Sequence, residues 1–263
     1  MAWRAMGTKN HKELIRSEFS KQAEAYSRSY ISNQEALSLI VRESELQEED
    51  LVLDMATGTG FLAIELARHS RRVIGIDITP AMLARASKAK EEQGIYNLSF
   101  LMADGESLPF HDETFDVVAC RLGIHHFPEP KGQIFEMKRV AKARGKVVIA
   151  DILSSEDTKK GTFHNSLEIL RDPSHVWAYS PPSFRSLLSE AGLNVIKYLD
   201  WLVPMDFEEW VKLTSPPIES QKTLRGTFLK DMGKDESGLR VHLIEERVKF
   251  LHHWGLFVTR PNP

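Results

Sequence analysis

The 263-residue sequence has very little cysteine, since Cys120 is the only one. An internal disulfide is therefore impossible, and the composition fits a reducing compartment. Long apolar runs are also missing, because no stretch approaches the ~20 apolar residues of a membrane-spanning helix. The first residues lack the apolar centre of a secretory signal. Together these absences predict a cytoplasmic protein with no membrane span.

An excess of either charge is missing as well. Lys and Arg total 34 and Asp and Glu total 37, so the formal net charge is -3. Because this balance offers no general attraction to nucleic acid, we expect no nucleic-acid partner. The sequence carries no signal for a particular oligomeric state.

What is present is an alternation of apolar strands and amphipathic helices. A helical segment precedes it at about residues 10–45, and a less regular region follows Asp151. Because strands that alternate with helices pair in parallel beneath helices on both faces, the pattern predicts an α/β fold. Helices are predicted at 59–69, 79–94, 131–142, 162–171 and much of 206–235. The predicted strands are "LVLDM", "RVIGID", "LSFLMAD", "FDVVACR", "KVVIAD", "LNVIKYLDWL" and a last strand within "VHLIEERVKFLHHWGLFVTRP".

Residues 51–61, "LVLDMATGTGF", join a buried strand to a glycine loop. The stretch "GTGFLA" nearly matches the dinucleotide-binding fingerprint, and Asp77 follows Gly60 at about the spacing of a ribose-binding acid. One interpretation is therefore a nicotinamide-dependent oxidoreductase. Another is a strand-to-helix turn whose glycines bind nothing.

The acid in this loop favours a different ligand. The carboxylate of Asp54 would repel a pyrophosphate, whereas S-adenosylmethionine brings an ammonium group and a sulfonium, which a carboxylate attracts. Asp77 would then accept hydrogen bonds from the ribose hydroxyls. Asp104 would accept a hydrogen bond from the adenine amino group, or alternatively fix the turn in "ADGES".

The ordered motifs resemble those of the class I S-adenosylmethionine-dependent methyltransferases, in the small-molecule branch that includes ubiquinone/menaquinone biosynthesis methyltransferases. The resemblance covers about residues 50–151, and "FSKQAEAY" upstream resembles the segment that covers the cofactor in that branch. The motifs that carry it are "VLDMATGTG", "VIGIDITPAMLARA", "ADGESLPFHDETFDVVACRLGIHHF" and "MKRVAKARGKVVIAD".

The resemblance implies a Rossmann-like fold with a mostly parallel seven-stranded sheet. It also implies S-adenosyl-L-methionine as cofactor, S-adenosyl-L-homocysteine as product and a small-molecule methyl acceptor as partner. Residues 1–45 would form a helical cover or lid, residues 46–151 the cofactor-binding core, and residues 152–263 an acceptor-binding insertion with strands that complete the sheet. A non-catalytic S-adenosylmethionine-binding protein remains an alternative. The predicted cofactor-binding residues are Tyr26, Asp54, Ala56, Thr57, Gly58, Gly60, Asp77, Ile78, Met82, Ala103, Asp104, Gly105 and Arg121.

The sequence departs from the family pattern at two informative places. The family usually has glycine where Ala56 stands, and alanine allows close approach of a ligand if its φ is negative. The stretch "CRLGIHHF" after the fourth strand contains no Asn/Asp-Pro-Pro-Tyr motif, which is typical of enzymes that methylate the amines of nucleobases.

Methyl transfer from a sulfonium is an in-line displacement, so the protein must align the two reactants and accept a proton where the acceptor loses one. His125 and His126 follow the fourth strand, and histidine titrates near neutral pH. Together with His175 they are candidate bases, and packing or hydrogen bonding is the alternative role.

The acceptor is expected to contact Tyr30 and His126, together with the segment "RDPSHVWAYS" through His175, Trp177 and Tyr179. An alternative role for that segment is a structural loop anchor. No spacing of histidine, cysteine and acid resembles a metal site, so we expect no metal. His252 and His253 are interpreted as ordinary core or surface residues.

Overall fold

The computed structural model describes residues 8–27 and 34–262 of the chain. Its helices are α1 (Thr8–Ser27), α2 (Gln34–Ser44), α3 (Phe61–Ala67), α4 (Pro80–Glu92), α5 (Pro130–Val140), α6 (Thr158–Arg171), α7 (Pro181–Glu190), α8 (Phe207–Thr214) and α9 (Ile218–Asp231). Its strands are β1 (Leu51–Met55), β2 (Arg72–Asp77), β3 (Leu98–Met102), β4 (Phe115–Arg121), β5 (Ala141–Leu153), β6 (Leu193–Asp206), β7 (His242–Ile244) and β8 (Arg247–Pro261). No helix in these ranges is long and apolar enough to cross a bilayer.

One mixed sheet runs through the molecule in the order β3-β2-β1-β4-β5-β8-β6. Strands β1 to β5 pair in parallel, and β8 runs antiparallel to both of its neighbours, β5 and β6. The predicted α/β class with a mostly parallel sheet is therefore confirmed.

The predicted count of seven strands is one too low for the described residues, because β7 also pairs with β8. Glu245 and Glu246 form the turn of this hairpin, and both have positive φ. A two-residue turn of that type usually contains asparagine or glycine. Because two glutamates are not typical of such a turn, the sequence did not indicate this hairpin.

The residues at the N-terminal ends explain where two helices begin. Helix α4 follows Thr79 with proline at its first position, as predicted, and the Thr79 side chain itself forms no capping hydrogen bond. Helix α6 begins earlier than predicted because the carboxylate of Asp157 accepts hydrogen bonds from the backbone N–H groups of Lys159 and Lys160, at 2.8 and 3.2 Å. An N-cap of this kind satisfies donors that the first helical turn leaves unpaired.

Side chains of each strand alternate between two apolar layers. In β1, Val52 packs with residues of α2 and α3 on one face of the sheet, whereas Leu53 packs with residues of α5 and α7 on the other. The sheet is therefore covered by helices on both faces. Because β1 lies between β2 and β4, the crossovers leave the sheet in opposite directions there, and such a switch point opens a crevice at the carboxyl ends of the strands.

A third apolar cluster attaches the C-terminal helices to the sheet. The ring of Phe228 on α9 is completely buried, and its centre lies 5.0 Å from Phe207, 5.4 Å from Trp210 and 5.1 Å from Phe250. These rings come from α8 and β8 as well as α9. The cluster thus connects the helices after β6 to β8, the strand that lies between β5 and β6.

We expect Phe228→Ala to lower the free energy of unfolding by about 3–5 kcal/mol, because it removes a buried ring and leaves a cavity. Denaturant unfolding followed by fluorescence measures the loss. Leu229→Ala is the matched control, since Leu229 is the next residue of the same helix and is 40% exposed. Equal losses in the two variants would contradict the packing described here.

Candidate functional site

A large cavity lies at the carboxyl ends of β1, β2 and β4. It encloses about 1540 Å³ of empty space, part of which is open to solvent. Most of the predicted cofactor-binding residues line it, namely Tyr26, Asp54, Ala56, Thr57, Gly58, Asp77, Ile78, Met82, Ala103, Asp104, Gly105 and Arg121.

The two glycines of the loop after β1 have different tasks. Gly58 has a φ of 54°, lines the cavity, and a Cβ built on it would meet nothing within 4 Å. Gly60 has a φ of 84°, and its Cβ would lie 3.0 Å from the Cβ of Ala86 and 3.1 Å from the ring of Phe100. Gly60 does not line the cavity. It therefore lets α3 begin against α4, whereas Gly58 leaves open space for a ligand.

The backbone at Ala56 does not have the negative φ that would let alanine replace glycine without strain. Its φ is 56°, in the left-handed region, where a Cβ costs about 1–2 kcal/mol. The expectation of a negative φ at this position is wrong. The loop has the backbone conformation that glycine favours, so Ala56 is held in a strained conformation.

The Asp54 carboxylate is buried at the base of the cavity. Thr57 Oγ1 donates a hydrogen bond to Asp54 Oδ2 at 2.6 Å. Burial raises the pKa of Asp54 to about 7, and the bond from Thr57 and the nearby charge of Arg121 oppose this rise. The guanidinium of Arg121 also lies 5.3 Å from the ring centre of Trp254. Asp54 thus carries a charge that the protein alone stabilises weakly.

The Asp77 carboxylate connects the glycine loop to α4. Its Oδ2 accepts a hydrogen bond from the Gly58 N–H at 2.9 Å, and its Oδ1 accepts one from the Thr79 N–H at 2.8 Å. Burial raises the pKa of Asp77 and these hydrogen bonds oppose the rise. Asp77 therefore shapes the loop in addition to lining the cavity.

Asp104 lies beyond the strand that was predicted to end on it, because β3 stops at Met102. Its Oδ1 accepts a hydrogen bond from the Glu106 N–H at 3.0 Å, which closes a turn. Its Oδ2 lies 2.6 Å from Lys12 Nζ on α1, and Lys12 also pairs with Glu106. The side chain thus has the turn-forming role that was weighed as an alternative.

Helix α1 covers one side of the cavity with Lys12, Phe19 and Tyr26. The ring of Phe19 lies 5.6 Å from that of Tyr26 and 4.9 Å from that of His126. Tyr30, which was expected to contact the acceptor, lies outside the described residues.

The predicted histidines meet on the other side of the cavity. His125 Nδ1 lies 2.5 Å from Asp151 Oδ1, and both side chains are buried. Burial favours a lower pKa for His125, but the Asp151 carboxylate outweighs burial and raises it. This imidazole is thus oriented by an acid, as in many general bases.

His126 and His175 differ from His125 in their partners. His126 Nδ1 donates to the Ser174 carbonyl at 3.0 Å, and His175 Nε2 donates to Asn165 Oδ1 at 2.8 Å. Burial, aided by the charge of His125, lowers the pKa of His126 to about 4 and that of His175 well below its usual value. Both rings are therefore neutral at pH 7.

Two predicted acceptor contacts do not line the cavity. Tyr179 packs against the main core with its ring 6.1 Å from that of Phe184. The backbone N–H of Trp177 donates to the His125 carbonyl at 3.0 Å, so this residue anchors the loop. The loop-anchor alternative therefore describes both residues in the structure.

Several cavity residues gave no signal in the sequence. They come from α6, α8, β6 and β8, which lie far apart in the chain and meet only in the folded sheet. Two of them, Glu168 and His252, meet His164 behind the cavity wall and form a group of three potential metal ligands, although the sequence predicted no metal site. The reason is that His252 lies far from the other two in sequence. The unpredicted residues that line the cavity include Glu168, Arg171, Met205, Trp210, His252 and Trp254.

Known proteins share both the sequence pattern and the fold. A family model described as a methyltransferase domain matches residues 46–192. An uncharacterized methyltransferase, YcgJ of Bacillus subtilis, is 33% identical over 207 residues, which is 78% of this chain and 82% of that protein. A ubiquinone/menaquinone biosynthesis C-methyltransferase of Blochmanniella pennsylvanica is 37% identical over 42% of this chain and 45% of its own length.

Solved structures of related proteins also have this fold. The crystal structure of YcgJ matches with a TM-score of 0.81 at 27% identity and covers 88% of this chain and 99% of its own. A putative methyltransferase from Bacillus halodurans also has a TM-score of 0.81 at 27% identity, over 86% of this chain and 99% of its own.

The raised pKa of Asp54 predicts how stability depends on pH. Between its ordinary value and about 7, the folded protein keeps a proton that the unfolded chain has lost, so the free energy of unfolding falls as pH rises. Asp54→Asn cannot ionise, and relative to wild type it should gain about 1–4 kcal/mol between about pH 5 and about pH 8. Urea denaturation at several pH values measures this gain. The exposed Asp112→Asn controls for the loss of one charge, and parallel profiles for wild type and Asp54→Asn would contradict the prediction.

Proposed function

The chain belongs to the methyltransferase domain family, and from that membership we propose that it transfers a methyl group from S-adenosyl-L-methionine to a small organic molecule and releases S-adenosyl-L-homocysteine. The cavity's two sides support this assignment. The side lined by the ends of β1 and β2 carries carboxylates and the glycine loop. The side lined by His125, α6 and α8 carries imidazoles and aromatic rings.

The buried Asp54 carboxylate is the observation that carries the proposal. A cationic group in the cavity would stabilise its ionised form, whereas a pyrophosphate would be repelled. The open space at Gly58 lets a ligand approach the backbone, and Met82 and Ile78 provide apolar walls beside Asp77. When bound, S-adenosylmethionine supplies a methyl group on a positively charged sulfur, which is already an activated leaving group.

His125 is the proposed general base. Since Asp151 accepts the proton of Nδ1, the neutral ring offers Nε2 as its acceptor nitrogen, and this residue lines the cavity. His126 and His175 already donate to fixed oxygens and have lowered pKa values, so we assign them to positioning rather than to proton transfer. The rate of methyl transfer should therefore depend on His125 more than on the other two.

Helix α1 is the proposed cover of the bound cofactor. It reaches both sides of the cavity, because Lys12 pairs with Asp104 while His11 Nε2 lies 3.1 Å from the His126 carbonyl. An acceptor beneath such a cover must be small, which supports a small-molecule acceptor and no nucleic-acid partner. The cysteine, Cys120, is free and buried, and it supports the proposed cytoplasmic location.

We expect S-adenosylhomocysteine to raise the melting temperature, because a ligand that binds only the folded state stabilises it. The gain is about 2.7 kcal/mol at a concentration of roughly one hundred times the dissociation constant. NAD should cause no shift. Differential scanning fluorimetry with each ligand separates a methyltransferase from a nicotinamide-dependent oxidoreductase, and a response to NAD alone would overturn the proposal.

A truncated ligand can assign the two carboxylates. Asp54→Asn should weaken S-adenosylhomocysteine binding by roughly 10–150-fold, which corresponds to about 1.5–3 kcal/mol for a lost charge-assisted contact. It should leave methylthioadenosine binding unchanged, because that ligand lacks the amino acid ammonium. Asp77→Asn should weaken both ligands, since both contain the ribose. Calorimetric titration of the two variants gives the comparison, and equal effects of Asp54→Asn on both ligands would place Asp54 elsewhere.

A further inference from the structure

Three buried side chains lie close together, and none of them belongs to the pair of His125 and Asp151. Glu168 Oε1 lies 3.0 Å from His252 Nε2 and 3.5 Å from His164 Nε2. All three residues are at most 4% exposed. His164 and Glu168 lie one turn apart on α6, and His252 comes from β8, so helix and sheet together bring the three atoms within 4.8 Å of one another.

His252 Nε2 and Glu168 Oε1 lie within hydrogen-bond distance, but none of the three atoms has a partner in the alignment that a hydrogen bond requires. Buried polar atoms are almost always paired, because an unpaired one loses its interaction with water without compensation. The other carboxylate oxygen of Glu168 does have a partner, since Arg171 Nη1 lies 3.2 Å from Oε2. The arginine thus holds the carboxylate so that Oε1 faces the two imidazoles.

Two of the three separations fit ligands of a single metal ion. Nitrogen and carboxylate oxygen ligands lie about 2.0–2.2 Å from Zn²⁺, so two ligands at the angles of octahedral to tetrahedral sites are about 2.8–3.6 Å apart. Both measured separations from Glu168 Oε1 fall within this range. Two imidazoles and one carboxylate are a donor set of catalytic zinc and non-haem iron sites, in which further positions stay open.

We propose that His164, Glu168 and His252 bind one divalent first-row transition-metal ion beside the cavity. Glu168 and His252 line the cavity, together with Trp210 and Arg171, whereas His164 lies behind them. An open coordination position would therefore face the acceptor side. If the proposed methyl transfer is correct, that position would hold an oxygen or sulfur atom of the acceptor and favour transfer of its proton to His125, the proposed base in the same cavity.

Metal binding can be measured without cofactor or acceptor. The full-length protein is treated with a chelator, and Zn²⁺ is then titrated by calorimetry. We expect one equivalent to bind and the melting temperature to rise. In a parallel titration, Co²⁺ should produce a visible absorption band that Zn²⁺ abolishes.

Variants locate the ion. His252→Gln should weaken Zn²⁺ binding by at least about 100-fold, which exceeds the roughly 10–100-fold loss typical of outer-shell partners. His253→Gln is the matched control, because His253 is the next residue of β8 and pairs instead with Asp200 on the exposed side. It should bind Zn²⁺ as wild type does. His164→Gln provides a second test if His252→Gln does not fold.

Absence of stoichiometric Zn²⁺ binding would overturn the proposal, as would full binding in both His252→Gln and His164→Gln. Equal weakening by His252→Gln and His253→Gln would also overturn it. These outcomes are independent of the cofactor assignment. A protein that binds S-adenosylhomocysteine but no metal would contradict only this inference, and one that binds Zn²⁺ but no S-adenosylhomocysteine would contradict only the proposed methyl transfer.

Discussion

The carboxylate of Asp151 is the constraint on which the histidine-lined side of the cavity depends. It is completely buried, and a buried carboxylate is tolerated only when its oxygens are well hydrogen-bonded. Here Oδ2 accepts from the N–H groups of Ile124 and His125, and Oδ1 accepts from the N–H of Ile152 and lies against His125 Nδ1. One side chain of β5 thus fixes both the backbone of the turn after β4 and the imidazole that this turn presents.

The same turn joins two other parts of the chain. The His125 carbonyl accepts the N–H groups of Val176 and Trp177 from the loop after α6, at 2.9 and 3.0 Å. The His126 carbonyl lies 3.1 Å from His11 Nε2 on α1. Because the N-terminal helix and the loop after α6 both bond to a turn that Asp151 holds, a disturbance of this carboxylate would displace three walls of the cavity together.

Local signals in the sequence predicted which residues of the glycine-loop side would lie together at the cavity. Asp54, Gly58 and Asp77 stand at the ends of strands that their own neighbours specify, so strand pattern and glycine spacing were sufficient. The φ of Ala56 was not predictable in this way, because the loop imposes a conformation that alanine alone disfavours. The meeting of Glu168 with His252 depends on the register of β8 against β5 and β6, which no short pattern encodes.

The side chains on the two sides of the cavity are also held in place in different ways. On the glycine-loop side, the carboxylate of Asp77 accepts hydrogen bonds from backbone N–H groups of the loop that it shapes, so a substitution there changes the loop itself. On the histidine side, Trp210, His252 and Trp254 project from a helix and a strand whose backbone hydrogen bonds do not involve those side chains. Trp210 and Trp254 are almost completely buried, so a smaller side chain at either position would leave a cavity even though the backbone hydrogen bonds of α8 and β8 do not depend on it. Asp77 and the glycine loop are held by hydrogen bonds of their own, so this side of the cavity does not depend on the aromatic wall opposite.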